Sequence, residues 1–321
     1  MSSDARPTGS ETGKPLVSVV VLNYRRRDEL LRTIESIQRQ TYSPRETVVV
    51  DNNSGDDSLE CVTRSFPGVR VLGLTENLGC GGRNRGVEAA RGELVVTLDN
   101  DVRFDSPDEL ESVVRAFERS PKASVLAFKI LHEQTGKLHL RDWCHPRSFM
   151  EFADTEFETY YIPEGACAFR RRDFIDLGGY YEPFRIGGEG WDLALRLLDA
   201  GRSIVYCPEI RVRHSMATET RGERKPYYFL TRNSIWIALK DYTGWRRWEF
   251  VIYTLAKMSF YCLRPSRIGD FLRGLRDGFT GTSRLPRSPV SPSTWARLRE
   301  ISRHRPSWWT RLRTHWAHSE I

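Results

Sequence analysis

The sequence predicts an α/β fold: a mainly parallel, twisted sheet with helices on both faces, followed by a helical C-terminal extension. Four strand patterns alternate with three helix patterns within the first hundred residues. The strand runs are too apolar for a half-exposed sheet, which places them between two helical layers. Each run is followed by a polar cluster, and in such sheets ligands bind at the carboxyl ends of the strands.

Taken in order, "LVSVVVLNY" (16–24) is a β-branched run and a buried strand. Residues 28–40 carry Leu30, Leu31, Ile34 and Ile37 at helical spacing. "ETVVVD" (46–51) is the second strand, 56–66 the second helix and "VRVLGL" (69–74) the third strand. A third helix over 82–91 leads into "ELVVTLD" (93–99), the fourth strand. From about 120 to 215 short strands (123–128, 202–207) mix with loops and a helix at 188–200. The pattern is helical and amphipathic from 227 to about 280, and the last forty residues, rich in Arg, Pro, Ser and Trp, show none. The division expected is a disordered leader at 1–15, an α/β sheet domain at 16–215 and a basic helical extension and tail at 216–321.

The 321 residues, 39% hydrophobic and 28% charged, are enough for one large domain or two modest ones. Six scattered cysteines lack CxxC or Cys/His spacing, which argues against structural zinc and a disulfide framework and fits a reducing compartment. The polar leader has no secretory pattern, and no apolar run approaches the roughly 20 residues of a spanning helix. Charge is uneven: residues 264–321 hold twelve arginines, no lysine and four acids, while the whole chain is only +7.

The strands end at Asn23, at Asp51-Asn52-Asn53-Ser54, at Glu76-Asn77 and at Asp99-Asn100-Asp101. Turn chemistry favours such residues and accounts for part of the pattern. It accounts less well for Asp99 and Asp101, whose carboxylates share one side of an extended strand end and suit Mg2+ or Mn2+ shared with phosphates. The glycine-rich "ENLGCGGRNRG" (76–86) has Asn84 where a dinucleotide fingerprint needs glycine. It reads instead as a close-packed turn delivering Arg83 to an anion. Glu189 and Asp192 open the helix "EGWDLALRL", where acids are favoured by the helix dipole alone.

These segments, together with "GGYYEPFRIGGEGWDLALRLLDAG" and "YCPEIRVRH", resemble glycosyltransferase family 2 in order from residue 16 to about 215. The nearest subgroup in appearance is the bacterial rhamnosyltransferase-like enzymes of surface polysaccharide assembly. The resemblance implies a GT-A fold, a nucleotide-diphosphate sugar donor, a divalent cation and transfer with inversion. Asp51 then holds the donor nucleoside beside Asn23, and Arg83 faces the nucleotide. Asp99 and Asp101 form the metal-binding pair, Asp101 the more direct ligand and Asp99 nearer the ribose. His214 approaches the metal or the diphosphate.

The family's catalytic base belongs to an acidic pair just before the "DLxxR" pattern, and here that pair is Glu189-Gly190. Glu189, Asp192, Arg196 and Asp199 form one polar helical stripe, so Arg196 is expected to pair with Asp192. Glu189, behind two glycines, is favoured as base over Asp192. Trp143, His145 and Arg147 fall where the acceptor surface is expected, with loop packing the simpler account of each.

In the extension, 245–267 mixes aromatic and aliphatic residues with flanking arginines, as does a helix lying on an anionic membrane surface. Trp295, Trp308, Trp309 and Trp316 are candidate anchors; packing on the domain or a homodimer contact are the competing accounts. Nucleic acid is not an expected partner, since no recognisable module accompanies the basic tail. The expectation is a metal-dependent, inverting glycosyltransferase acting on a lipid-linked or polysaccharide acceptor, cytoplasmic and peripheral to the inner face of the plasma membrane. A non-catalytic nucleotide-sugar binding protein is the alternative, and a nucleotidyltransferase a weaker third.

Overall fold

The structure, a computed structural model, describes residues 13–215, 226–261 and 265–306. Its first half is the expected alternation: β1 (Val17–Asn23), α1 (Arg27–Gln38), β2 (Arg45–Asp51), α2 (Ser58–Ser65), β3 (Arg70–Gly73), α3 (Gly81–Ala89) and β4 (Leu94–Asp99). These four strands are mutually parallel, in the order β3-β2-β1-β4. Successive side chains of a strand face opposite ways, and β1 uses both faces. Val17, Val19 and Val21 join one core layer with Leu30, Ile34 and Ile37 of α1, while Val20 joins the other with Val87 of α3.

The second half mixes directions. It runs β5 (Val102–Phe104), α4 (Glu109–Arg119), β6 (Ala123–His132), α5 (Phe149–Phe152), β7 (Phe157–Thr159), β8 (Ala166–Arg170), α6 (Arg171–Asp176), α7 (Glu189–Asp199) and β9 (Ser203–His214). The sheet continues β4-β8-β6-β9-β5, with β7 also on β9. β6 and β9 are parallel, whereas β8 is antiparallel to both β4 and β6, and β5 and β7 are antiparallel to β9.

β8 falls where the sequence showed only loop between the strand patterns at 123–128 and 202–207. Ala166, Cys167, Ala168 and Phe169 are all buried, and this short strand lies at the centre of the sheet.

Four further helices follow: α8 (Pro226–Asp241), α9 (Gly244–Tyr261), α10 (Pro265–Thr280) and α11 (Pro292–Ile301). α11 lies in the tail that showed no pattern. Pro292 stands at its start, and the Ser291 hydroxyl caps it by accepting the Thr294 amide at 3.3 Å. Ile237 of α8 and Leu298 of α11 share the core layer of Leu193 and Leu197 from α7, so the extension is packed onto the sheet domain. Trp295, expected at a membrane interface, instead packs on Tyr242 with ring centroids 4.6 Å apart. Trp308, Trp309, Trp316 and most of the leader lie outside the described residues. Among the described residues no helix is long and apolar enough to cross a membrane.

Candidate active site

The parallel register sets Asn23 beside Asp51 and Leu22 beside Asp99, so the ends of β1, β2 and β4 form one edge. Asn23 is buried and links its neighbours. Its Nδ2 donates to Asp51 Oδ1 at 2.8 Å and to Ser54 Oγ at 3.2 Å, and its Oδ1 accepts from Asn100 Nδ2 at 2.7 Å. Asp51 also accepts the Ser54 amide at 2.9 Å and the Ser54 hydroxyl. The polar strand ends are therefore one connected network, which holds its members in a single geometry.

Arg83, in the first turn of α3, pairs with Asp99. Burial works against the guanidinium charge, but Asp99 outweighs it, and Arg83 stays a fixed cation whose Nε has no partner among the described residues. The turn before it is as close-packed as its glycines imply. A Cβ on Gly79, at φ +60°, would overlap the Arg185 carbonyl, which accepts the Cys80 amide at 2.6 Å.

Asp101 is buried and pairs with Arg26. The antiparallel register of β5 and β9 sets Val102 opposite His214, and His214 Nε2 lies 3.7 Å from Asp101 Oδ1. The other ring nitrogen, Nδ1, lies 2.7 Å from Asp142 Oδ2, which is also 2.9 Å from His139 Nδ1. Burial disfavours a charge on His214, but Asp101 and Asp142 raise its pKa to about 10. Burial likewise opposes the Asp142 charge, yet His139 and His214 hold it well below the usual carboxylate range.

Ligand atoms of His139, Asp142 and His214 lie within 4.8 Å of one another. A histidine oriented by one carboxylate and turned toward another is how imidazoles are presented to metals, and with Asp101 these side chains offer nitrogen and oxygen donors to a divalent cation. His139 and Asp142 were missed in the sequence, where only their spacing of three residues marks them.

Gly187 and Gly188, at φ +86° and +95°, turn the chain into α7. Glu189 is only 5% exposed, and its Oε2 has no partner among the described residues. Burial raises its pKa. Asp192 is sealed in the interior. Its Oδ2 accepts from Arg196 Nε at 3.0 Å and Nη2 at 2.5 Å, as the stripe implied, and its Oδ1 accepts from Lys240 Nζ at 2.5 Å. Both oxygens are committed to cations, a geometry at odds with the reading of Asp192 as a candidate base.

Trp143, His145 and Arg147 are packing residues. Trp143 Nε1 donates to the Arg147 carbonyl at 2.7 Å, and the Arg147 guanidinium lies 4.8 Å from the Phe152 and Phe157 rings. Burial pushes the pKa of His145 down to about 3, so the ring is neutral beside Thr159.

Comparison with solved structures shows the GT-A fold. The mannosyltransferase PcManGT from Pyrobaculum calidifontis, in complex with GDP-Man and Mn2+, matches with a TM-score of 0.53 at 19% identity, over 92% of this chain and 81% of that one. GalNAc-T7 with UDP, GalNAc and Mn2+ matches with a TM-score of 0.59 at 18% identity, over 91% of this chain and 56% of that one.

Among curated proteins, the O-antigen chain rhamnosyltransferase WbaN of Salmonella anatum is 27% identical over 60% of this chain and 64% of its own length. The N-acetylglucosaminyl-diphospho-decaprenol L-rhamnosyltransferase of Mycobacterium tuberculosis is 25% identical over 72% of this chain and 87% of its own. The family model for glycosyl transferase family 2 matches residues 18–178. With that match covering half its length, the chain belongs to glycosyl transferase family 2.

Proposed function

We propose that the protein moves a sugar, a hexose or deoxyhexose, from a nucleotide-diphosphate donor to a glycan or lipid-linked acceptor, with inversion at the anomeric carbon. The observation that carries this reading is the single edge on which Asn23, Asp51, Arg83 and Asp99 are joined, with Asp101 and His214 facing each other beside it. Asn23 and Asp51 bind the nucleoside, and Asp99 holds Arg83 toward the nucleotide. Asp101 and His214 hold Mg2+ or Mn2+, which when bound neutralises charge on the leaving diphosphate. The GDP-Man and UDP complexes of the two fold neighbours, both with Mn2+, support donor and cation.

A carboxylate gathered at the N-terminal end of α7 takes the acceptor's proton. Glu189 lies there, while Asp192 is assigned to holding α7 in place. The catalytic unit is 16–215, and α8 and α11 of the extension brace it.

An anionic membrane surface at the cytoplasmic face is the proposed location. Trp245, Trp248 and Ile252 of α9 sit at i, i+3 and i+7 and are 73%, 48% and 58% exposed, a stripe next to Arg246 and Arg247. A lipid-linked acceptor, of the kind named for the mycobacterial relative, would be met at such a surface.

The alternative, a non-catalytic nucleotide-sugar binding protein, is motivated by Gly190 in the acidic pair. A thermal-shift screen of UDP-, dTDP- and GDP-sugars with Mn2+ identifies the donor, because specific binding stabilises the native state. Turnover of that donor supports transfer. Binding without turnover favours the alternative.

A further inference from the structure

Gly190 leaves a gap in the sequence motif, but a carboxylate fills the same space from another element. A Cβ built on Gly190 would overlap Glu164 Oε1 and lie 2.9 Å from the Ile162 carbonyl. Glu164 belongs to the loop between β7 and β8, and its Oε1 accepts the Gly190 amide at 3.0 Å. Gly190 is the second residue of α7, so the carboxylate rests on the positive end of that helix.

The loop is fixed against β4. Thr97 Oγ1 donates to the Glu164 carbonyl at 2.8 Å, and the Asp99 amide donates to the Gly165 carbonyl at 3.1 Å. A Cβ on Gly165 would overlap the Asp99 carboxylate, so glycine here is what lets Glu164 come so close to the end of β4. Glu164 is half-buried, whereas Glu189 beside it is almost fully enclosed. Of the two, Glu164 is the residue that keeps exposed surface.

We propose that Glu164 is the catalytic base of this protein, standing in for the acid that Gly190 lacks, and that Glu189 is its positioning residue. The inference rests on the glycosyl-transfer reading above. The acceptor oxygen bonds to the anomeric carbon as the bond from that carbon to the diphosphate oxygen breaks. The hydroxyl proton passes to the Glu164 carboxylate, and the bonding pair leaves with the nucleoside diphosphate.

The charged groups facing Glu164 are Glu189 of α7, Arg83 of α3 and Asp99 of β4, with Tyr161, Tyr180, Cys80 and Cys167 neutral around them. Burial first, then Glu189, pushes Glu164 up to about 8, with Arg83 pulling the other way. The ionised form is the base, so the rate rises with pH through that region. Glu189→Gln removes a negative neighbour, lowers the Glu164 pKa and moves the rise to lower pH.

The test uses the full chain with Mn2+ and the donor found by the thermal-shift screen. Gln at 164 keeps an acceptor for the Gly190 amide, so Glu164→Gln should fold and bind donor as wild type does. Its kcat is expected to fall by roughly 10²–10⁴-fold, the span of general-base contributions. Glu189→Gln is expected to lose less and to show the shifted pH profile. Wild-type kcat in Glu164→Gln, or a greater loss in Glu189→Gln with no shift, would overturn the proposal while leaving transfer intact. A wild type that binds but never turns over a nucleotide sugar would overturn both.

Discussion

Lys240 Nζ lies 2.5 Å from Asp192 Oδ1, joining α8 to α7 through side chains only 4% and 0% exposed. Lys240 also reaches Asp241 at 2.7 Å, and Arg196 covers the other Asp192 oxygen. The extension thus neutralises a carboxylate inside the sheet domain. Removing one partner of a buried pair leaves a bare charge and costs about 3–5 kcal/mol. With Arg196 still in place, Lys240→Met is expected at the lower end, near 3 kcal/mol, in denaturant unfolding. A change below about 0.5 kcal/mol, typical of surface sites, would show that the pair contributes little.

Asn233 of α8 braces the segment before Glu189. Its Nδ2 donates to the carbonyls of Phe184 and Ile186 at 3.0 Å each and of Gly187 at 2.6 Å. Asn233→Ala removes the donor that the Ile186 and Gly187 carbonyls share, with an expected loss of about 0.5–1.5 kcal/mol in thermal unfolding. The start of α7 should loosen with it, so kcat is expected to fall further than donor affinity.

The arrangement around His214 predicts graded effects on Mn2+ titrated calorimetrically in the presence of donor. Asp101→Asn and His214→Ala each remove a proposed ligand and should abolish metal-dependent donor binding. Asp142→Asn removes only the carboxylate that orients His214 and should weaken Mn2+ about 10–100-fold. Equal effects from all three would mean that Asp142 is itself a ligand.

The exposed stripe of α9 predicts partition onto vesicles containing anionic lipid. Trp245→Ser with Trp248→Ser should reduce flotation with such vesicles and leave thermal stability unchanged, because both side chains already face outward. Unchanged flotation would point to a protein partner for this face.

How much was legible follows from how far apart the interacting residues are. β1, β2 and β4 could be read because valine runs buried on both faces admit few other structures, and Asn23, Asp51, Asp99 and Asp101 because they end those runs. β8 could not, since "ACAFR" follows Pro163, Glu164 and Gly165 and reads as loop until β4 and β6 close on it. The same limit applies to the site. Glu164 meets Gly190 across 26 residues, Lys240 meets Asp192 across 48 and Asp142 meets His214 across 72. Arg196 was foreseen because its partner is one helical turn away.

The most direct test of the central claim is the anomeric configuration of the product, read by proton NMR after reaction of the screened donor, Mn2+ and a lipid-linked acceptor. Direct displacement predicts a glycoside whose configuration is opposite to that of the donor sugar. A product with the donor's configuration, or a bound donor that yields no glycoside, would contradict it.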